Sequence, residues 1–199
     1  MKSPRFSRTF FAAFCLSLTL WIFACGSGVS GHGTPVTSVV ATKNPLVANY
    51  RVSEYGLAKA WVEFGTDTTY GRETSNVAST TPHGSFEVLV AGMRASTTYH
   101  MRAHVEYVDG SSWVDQDHIF RTGPLPSYNH LELAVTRPDP DPGVKQEGVE
   151  LLDVVSVGTG NLGASVADLD GNIIWYFPGT TFPIKPLPNG HFLVNESFD

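Results

Sequence analysis

Cysteine is almost absent from this chain of 199 residues, which contains only Cys15 and Cys25. Both lie in or directly beside an apolar run near the N-terminus, so the body that follows has no cysteine. The body therefore cannot hold a disulfide, a cysteine zinc site or a thiol nucleophile.

Positive charge is also scarce, because 13 Lys and Arg stand against 19 Asp and Glu, a net charge of -6. Three of the basic residues, Lys2, Arg5 and Arg8, precede the apolar run; without them ten basic residues face the 19 acidic ones, a net charge of -9. An acidic body argues against nucleic-acid binding and against electrostatic docking to a membrane, since both partners are anionic.

Helical periodicity is missing as well, since no segment keeps a helical period over three turns. Nineteen Gly and 13 Pro favour turns and short strands instead. The N-terminal apolar run, from Phe10 to Ala24, is broken only by Ser17 and Thr19. It is too short for a comfortable transmembrane helix and has the length of the apolar region of a secretory signal.

The N-terminus predicts export with a lipid anchor. The box Ile22-Phe23-Ala24-Cys25 resembles a bacterial lipoprotein cleavage site and makes Cys25 the predicted lipid attachment residue. The alternative is an ordinary signal peptide with an incidental cysteine. We expect residues 1–25 to be the signal and residues 26–36 a flexible tether. The protein would then reach the periplasm or the cell surface, with the membrane as its partner through the anchor.

The middle of the chain predicts a β-sandwich over residues 37–123. Short apolar segments separated by glycines recur at the spacing of strands and turns. The fifth candidate strand alternates strictly, with Tyr99 and Met101 on one face and His100 and Arg102 on the other. Asp109-Gly110 after it predicts a type I′ turn, from which the following strand returns through Trp113. The candidate strands are residues 37–41, 47–53, 58–64, 86–90, 99–107 and 117–121.

Residues 37–122 resemble a fibronectin type III domain. The stretch from Leu89 to Tyr99, with Gly92, Ala95 and Thr98 between them, is similar to the loop of that family in which a tyrosine hydroxyl ties the loop back to its strand. Tyr99 is therefore the predicted structural tyrosine. Ala60-Trp61-Val62-Glu63-Phe64-Gly65-Thr66 is similar to a subtype that often precedes secreted phosphatases and related enzymes. The resemblance implies a fold and almost nothing about chemistry.

The histidines of the body predict no metal site and no cofactor. His100 and His104 lie four residues apart on one strand, which separates them by about 13 Å, too far for both to reach one ion directly. A solvated face is the favoured interpretation for this pair. His83, His118 and His130 have no acidic or cysteine partner at ligand spacing, so structural or surface roles are favoured for them.

Residues 124–148 predict a Pro-rich linker in which residues 130–136 could form one strand. After it comes an apolar run, Val149–Val157, and then Gly158-Thr159-Gly160. These glycines predict a turn and not a phosphate loop, because no Lys-Ser/Thr pair follows them.

Two hairpins are predicted near the end of the chain. Asp168-Leu169-Asp170-Gly171-Asn172 predicts a turn between strands at residues 164–169 and 173–177. It is not an EF-hand loop, because Gly171 is too early and no closing Glu follows. Trp175 and Phe177 are expected on one face of the second strand, and Ile174 and Tyr176 on the other, as where sheets pack on sheets. Asn189-Gly190 predicts the second turn.

These hairpins resemble the arylsulfate sulfotransferase family of secreted bacterial enzymes. Residues 168–176 look like a blade-ending hairpin of its β-propeller, and residues 185–194 look like the opening of the next blade. Gly171, Trp175 and Gly190 are the predicted structural residues of these motifs. We expect an all-β chain: a fibronectin type III-like sandwich followed, at residues 149–199, by the first blade or blades of a truncated propeller.

The family resemblance implies sulfuryl transfer from a phenolic sulfate ester to a phenolic acceptor through a histidine nucleophile in the propeller funnel. No residue of this chain matches that catalytic set, and His191 is a rim position by motif. We therefore expect a fragment that is itself inactive, without catalytic, cofactor or metal residues. The alternatives are a cell-surface binding or adhesion module and the front end of a metallophosphatase. The latter needs metal motifs, and none appears after residue 122.

Overall fold

The structure, a computed structural model, describes residues 31–79, 83–127, 133–136, 148–153, 163–177, 181–187 and 192–196. These residues form antiparallel sheets with almost no helix, which confirms the all-β prediction. No helix in the described part of the chain is long and apolar enough to cross a membrane. The predicted signal, Cys25, His130, the Pro-rich segment, the 158–160 turn, Gly190 and His191 lie outside the described residues.

The first two sheets form what we call the two-sheet domain. The smaller sheet has the order β1-β2-β6, and the larger one has the order β4-β3-β7-β8, with β5 also paired to β3 and β9 to β7. The strands are β1 (Val36–Ala41), β2 (Ala48–Tyr55), β3 (Leu57–Gly65), β4 (Arg72–Glu73), β5 (Val77–Ala78), β6 (His83–Val90), β7 (Thr98–Tyr107), β8 (Ser112–Val114) and β9 (His118–Arg121).

One hydrophobic core lies between the two sheets. Strand β7 buries every second residue, as its alternation predicts, and β2 and β6 contribute the facing side chains. Tyr50, Leu57, Met93, Met101 and Val105 are among the largest fully buried side chains. Each such aliphatic side chain contributes about 1.5–3 kcal/mol through its burial. Period-two alternation therefore fixes which face of each strand points inward.

The six candidate strands of this domain are confirmed, each with its ends shifted by a few residues at most. The strand predicted to return through Trp113 is β8. The short strands β4 and β5 were not among the candidates, because two residues are too few to show an alternation.

The predicted type I′ turn at Asp109-Gly110 is wrong. Among the turn residues 108–111, only Gly110 has a positive φ, 82°. The Gly110 N–H donates to Tyr107 O at 3.0 Å, and the Tyr107 N–H donates to Ser111 O at 2.9 Å. The turn is thus centred one residue earlier, with Gly110 as the left-handed residue that closes it. The Asp109 carboxylate accepts hydrogen bonds from the N–H and the hydroxyl of Ser111.

The C-terminal strands form two further sheets. One has the order β10-β11-β12, from β10 (Val149–Asp153), β11 (Ala164–Asp168) and β12 (Ile173–Tyr176). The other is the hairpin β13 (Thr181–Pro186) and β14 (Phe192–Glu196). Both predicted hairpins are therefore present as antiparallel pairs.

A bulge corrects the predicted facing of β12. Val166 pairs with Trp175 while the next residue, Ala167, pairs with Ile173, so Ile174 is inserted into the ladder. Because the insertion changes the alternation, Ile173 and Tyr176 belong to the same buried cluster. The prediction that Ile174 and Tyr176 share a face omitted Ile173, which the bulge brings to the side of Tyr176.

The possible strand at residues 130–136 is not found where the structure describes that segment. Residues 133–136 are irregular and join no sheet. They lie against the turn at Gly171.

Candidate functional site

The two-sheet domain has two ends with different neighbours. Strand directions bring residues 44–46, 94–95 and 123–125 to one end, which we call the junction end. These loops are tied together, because the Gly123 N–H donates to Pro45 O and the Ser96 N–H donates to Gly123 O. Residues 31–33, 55–56 and 108–111 lie at the opposite end, which we call the N-terminal end.

Tyr99, the predicted structural tyrosine, holds the junction end in shape. Its side chain is buried, and its hydroxyl accepts a hydrogen bond from the Arg94 N–H at 2.8 Å. The buried Thr122 hydroxyl donates to Arg94 O at 2.6 Å. Both backbone polar groups of Arg94 are thus occupied, which fixes the point from which its side chain leaves the loop.

Arg94 links this loop to the turn between β11 and β12. Its Nε donates to Asp168 Oδ2 at 2.7 Å, and its Nη2 donates to Asp170 Oδ2 at 2.8 Å. The Asp168 carboxylate is held in position for this contact, because its other oxygen, Oδ1, accepts hydrogen bonds from the N–H groups of Asp170 and Asn172. Partial burial alone would raise the pKa of Asp168, but Asn172 and Arg94 outweigh it and hold that pKa below its usual value.

An apolar cluster continues the same contact. Leu46 from the two-sheet domain is fully buried together with Ala167, Ile173 and Tyr176 from the β11–β12 hairpin. The Asn44 side-chain amide donates to Tyr176 O at 2.9 Å. The junction therefore combines apolar burial with hydrogen bonds and an ion pair, which gives it a defined geometry.

The turn that Arg94 contacts requires glycine at position 171 for two reasons. Its φ is +84°, a conformation that side chains rarely adopt. A Cβ at this position would also lie 2.7 Å from Val135 Cγ2, so the irregular segment at residues 133–136 needs the glycine for its close approach. Trp175, the other predicted structural residue of this hairpin, contacts Phe192 of β14, with ring centroids 5.1 Å apart.

The outer face of the larger sheet carries a second group of interacting side chains. Lys59 pairs with Glu106 at 2.9 Å and lies 5.5 Å from the centre of the Trp61 ring. The Trp61 ring stacks on His104 of the neighbouring strand, with centroids 5.0 Å apart and planes 10° from parallel. His104 Nε2 lies 3.1 Å from Glu63 Oε1, within ion-pair distance but not in hydrogen-bond alignment.

The group continues from Glu63 towards the junction end. Arg102 pairs with Glu63 and lies over the Tyr70 ring, 4.7 Å from its centre. The Tyr70 hydroxyl donates to Asp117 Oδ1 at 3.1 Å, and Asp117 Oδ2 lies 2.7 Å from His100 Nδ1. Partial burial alone would raise the pKa of Glu63, but His104 and Arg102 outweigh it and lower that pKa.

We call this group the outer-face ladder; it consists of Lys59, Trp61, Glu63, Tyr70, His100, Arg102, His104, Glu106 and Asp117. His100 and His104 point to the same face, but each has its own carboxylate. Among the described residues, no three His, Cys, Asp or Glu side chains converge as metal ligands. The ladder offers aromatic surface and fixed charges, which suit binding more than catalysis.

A buried polar group joins the two sheets, and sequence reasoning missed it. The Tyr50 hydroxyl donates to Asp115 Oδ2 at 2.6 Å, and His118 Nε2 lies 3.0 Å from the same oxygen. Burial, reinforced by Asp115, raises the pKa of Tyr50. The spacing of Asp115 and His118 is visible in the sequence, but Tyr50 comes from a distant strand. The fully buried Tyr50 makes this a structural group, since no substrate can reach its hydroxyl.

Comparison with known proteins gives no relative. No family model matches the chain, and no curated protein or solved structure is significantly similar to it.

Proposed function

We propose that this chain is part of an exported protein of the arylsulfate sulfotransferase kind, anchored through a lipid on Cys25. In this proposal the two-sheet domain is a fibronectin type III-like sandwich that supports the first sheets of a β-propeller. Its own role is to carry and orient those sheets, and the sulfuryl transfer takes place in the propeller.

The observation that carries the proposal is the arrangement of the C-terminal strands. A propeller blade is an antiparallel meander, and β10-β11-β12 is such a meander, followed by a separate hairpin that begins another sheet. Trp175 at the end of the meander contacts Phe192 of that hairpin, as expected where neighbouring blades pack. The fold-level analogy supports the class of protein and leaves the substrate open.

The sandwich part of the proposal is supported by two features. Two antiparallel sheets enclose one core, and the buried Tyr99 hydroxyl bonds to the backbone a few residues upstream, as in the tyrosine corner of such sandwiches. The junction end then holds the meander through Arg94 and Leu46. A sandwich fixed in this way suits a supporting domain better than a freely moving adhesion domain.

Two experiments test this function. The reading frame that follows codon 199 in the genome should encode further Trp-ending and Asn-Gly hairpins with histidines between them. The purified chain, assayed for sulfuryl transfer from 4-nitrophenyl sulfate to a phenol, should show no turnover. Robust turnover that a His191→Ala substitution abolishes would contradict the supporting role, because the catalytic histidine would then lie in this chain.

A second candidate function is a cell-surface binding module, and the outer-face ladder favours it. Trp61, Tyr70 and His104 present aromatic rings among fixed charges on one sheet face. In that case the purified chain should bind cell-surface polysaccharide or protein, and Trp61→Ala should weaken this binding at least tenfold. Binding that is unaffected by Trp61→Ala would remove this candidate.

A further inference from the structure

At the N-terminal end of the two-sheet domain, two side-chain contacts hold His32 in place. His32 stacks on the Tyr107 ring, with centroids 3.9 Å apart and planes 12° from parallel. Its Nε2 lies 3.0 Å from Asp109 Oδ2, on the turn between β7 and β8. The stacking on Tyr107 and the contact with Asp109 therefore hold the chain at residue 32, before β1 begins at Val36.

Apolar and aromatic side chains are exposed at this same end. Tyr55 is 59% exposed and Val108 is 69% exposed. The Val108 N–H donates to Gly56 O at 2.9 Å, so the turn after β2 and the turn after β7 lie side by side. Tyrosine at the boundary between lipid and water is favourable, because its ring is apolar and its hydroxyl remains hydrated.

The length of chain between Cys25 and His32 limits how far this end can move from an attached lipid. Six residues separate the two, and they span at most about 25 Å when fully extended. The junction end lies about 30 Å further along the strands, because β7 crosses the domain with ten residues.

The net charge of the body gives no attraction to an anionic membrane. Ten basic and 19 acidic residues follow the signal, so the leaflet repels the body as a whole. The N-terminal end carries the half-exposed Asp109 carboxylate as well, so contact through this end depends on the short chain to Cys25 and on the exposed apolar side chains there.

We propose that the N-terminal end, with Tyr55 and Val108, is a membrane-facing surface that touches the lipid headgroups and holds the junction end away from the membrane. This inference rests on the lipid attachment at Cys25 proposed above. It assigns the partner of this surface as a lipid bilayer and gives the two-sheet domain the role of a spacer.

The test uses a chain that begins at Cys25, which keeps the compact unit of residues 31–199 and has one cysteine. Cys25 is coupled to a maleimide lipid in vesicles of phosphatidylethanolamine and phosphatidylglycerol. A fluorescent amino acid replaces Val108, Thr68 or Leu89 in turn, and headgroup spin-labelled lipid serves as the quencher. Thr68 and Leu89 are exposed controls, near the junction end and on the outer face of the smaller sheet.

We expect quenching at position 108 to be several-fold stronger than at positions 68 and 89. Equal quenching at all three positions, or none at position 108, would overturn the membrane-facing assignment. The mass of the N-terminal peptide from the exported full chain is a separate measurement. An unmodified Cys25 there would contradict the proposed anchor, while the vesicle experiment would still decide the orientation.

Discussion

At the scale of single residues, Tyr99 connects the interior of the two-sheet domain to its junction. Its hydroxyl accepts a hydrogen bond from the Arg94 N–H, and the Arg94 side chain donates a hydrogen bond to Asp168. Tyr99→Phe keeps the ring and leaves that part-buried N–H without its acceptor, which should destabilise the protein by about 1.5 kcal/mol. Urea unfolding measures this loss.

Tyr70→Phe is the matched control for this substitution, because the Tyr70 hydroxyl also donates a hydrogen bond but lies at the surface. The control should cost less than about 0.5 kcal/mol. Equal losses for the two variants would show that the Tyr99 hydroxyl has no special structural role.

Asp109 predicts a dependence of stability on pH. Hydrogen bonds from Ser111, with help from His32, lower the pKa of Asp109 to about 2. A carboxyl group whose pKa is lower in the folded state stabilises the fold above the unfolded pKa of about 4, and this contribution disappears as the pH falls towards 2.

The unfolding free energies of the wild type and Asp109→Asn should therefore differ at pH 6 and converge between pH 4 and pH 2. Urea titrations across this range provide the measurement. A difference that stays constant down to pH 2 would contradict the assigned contacts of the carboxylate.

At the scale of elements, two turns of the same type allow the energetic cost of a left-handed backbone to be separated from the cost of disturbed packing. Gly110 and Gly171 have nearly equal positive φ values, +82° and +84°, and both follow the same hydrogen-bond pattern. A Cβ at Gly110 would meet open space, whereas one at Gly171 would meet Val135 and Leu133.

Gly110→Ala should cost about 1–2 kcal/mol, the cost of a left-handed conformation for a residue with a side chain. Gly171→Ala should cost more, because residues 133–136 must also move away. Thermal unfolding and amide exchange in β11 and β12 compare the two. If Gly171→Ala costs no more than Gly110→Ala, the close approach of residues 133–136 to this turn does not contribute to stability.

At the scale of the whole molecule, the junction decides whether the two-sheet domain and the β10–β12 sheet move together. The Arg94–Asp168 pair is partly buried, with side-chain exposures of 46% and 19%. A double-mutant cycle with Arg94→Ala and Asp168→Asn should give a coupling energy of about 1 kcal/mol that decreases in high salt.

The pair Arg51–Glu87 is the control, since both side chains are more than half exposed. Its coupling energy should be under about 0.5 kcal/mol. Equal coupling energies for the two pairs would mean that the Arg94–Asp168 ion pair contributes no more to the junction than an ordinary surface pair.

The sequence by itself determined the all-β character, the six main strands of the two-sheet domain and both C-terminal hairpins. Alternation of side chains along a strand and glycine at turns are local properties, so they can be read from neighbouring residues. The family resemblances singled out Tyr99, Gly171 and Trp175, and the structure gives each of them a distinct contact.

Only the tertiary structure decided which distant residues meet. The bulge at Ile174 directs Ile173 towards the junction. Arg94 donates hydrogen bonds to Asp168 and Asp170, which lie more than seventy residues away in the chain. The outer-face ladder and the Tyr50–Asp115–His118 group likewise join strands that are far apart in the chain. Such contacts depend on the register and packing of whole sheets, and no local pattern of residues encodes these.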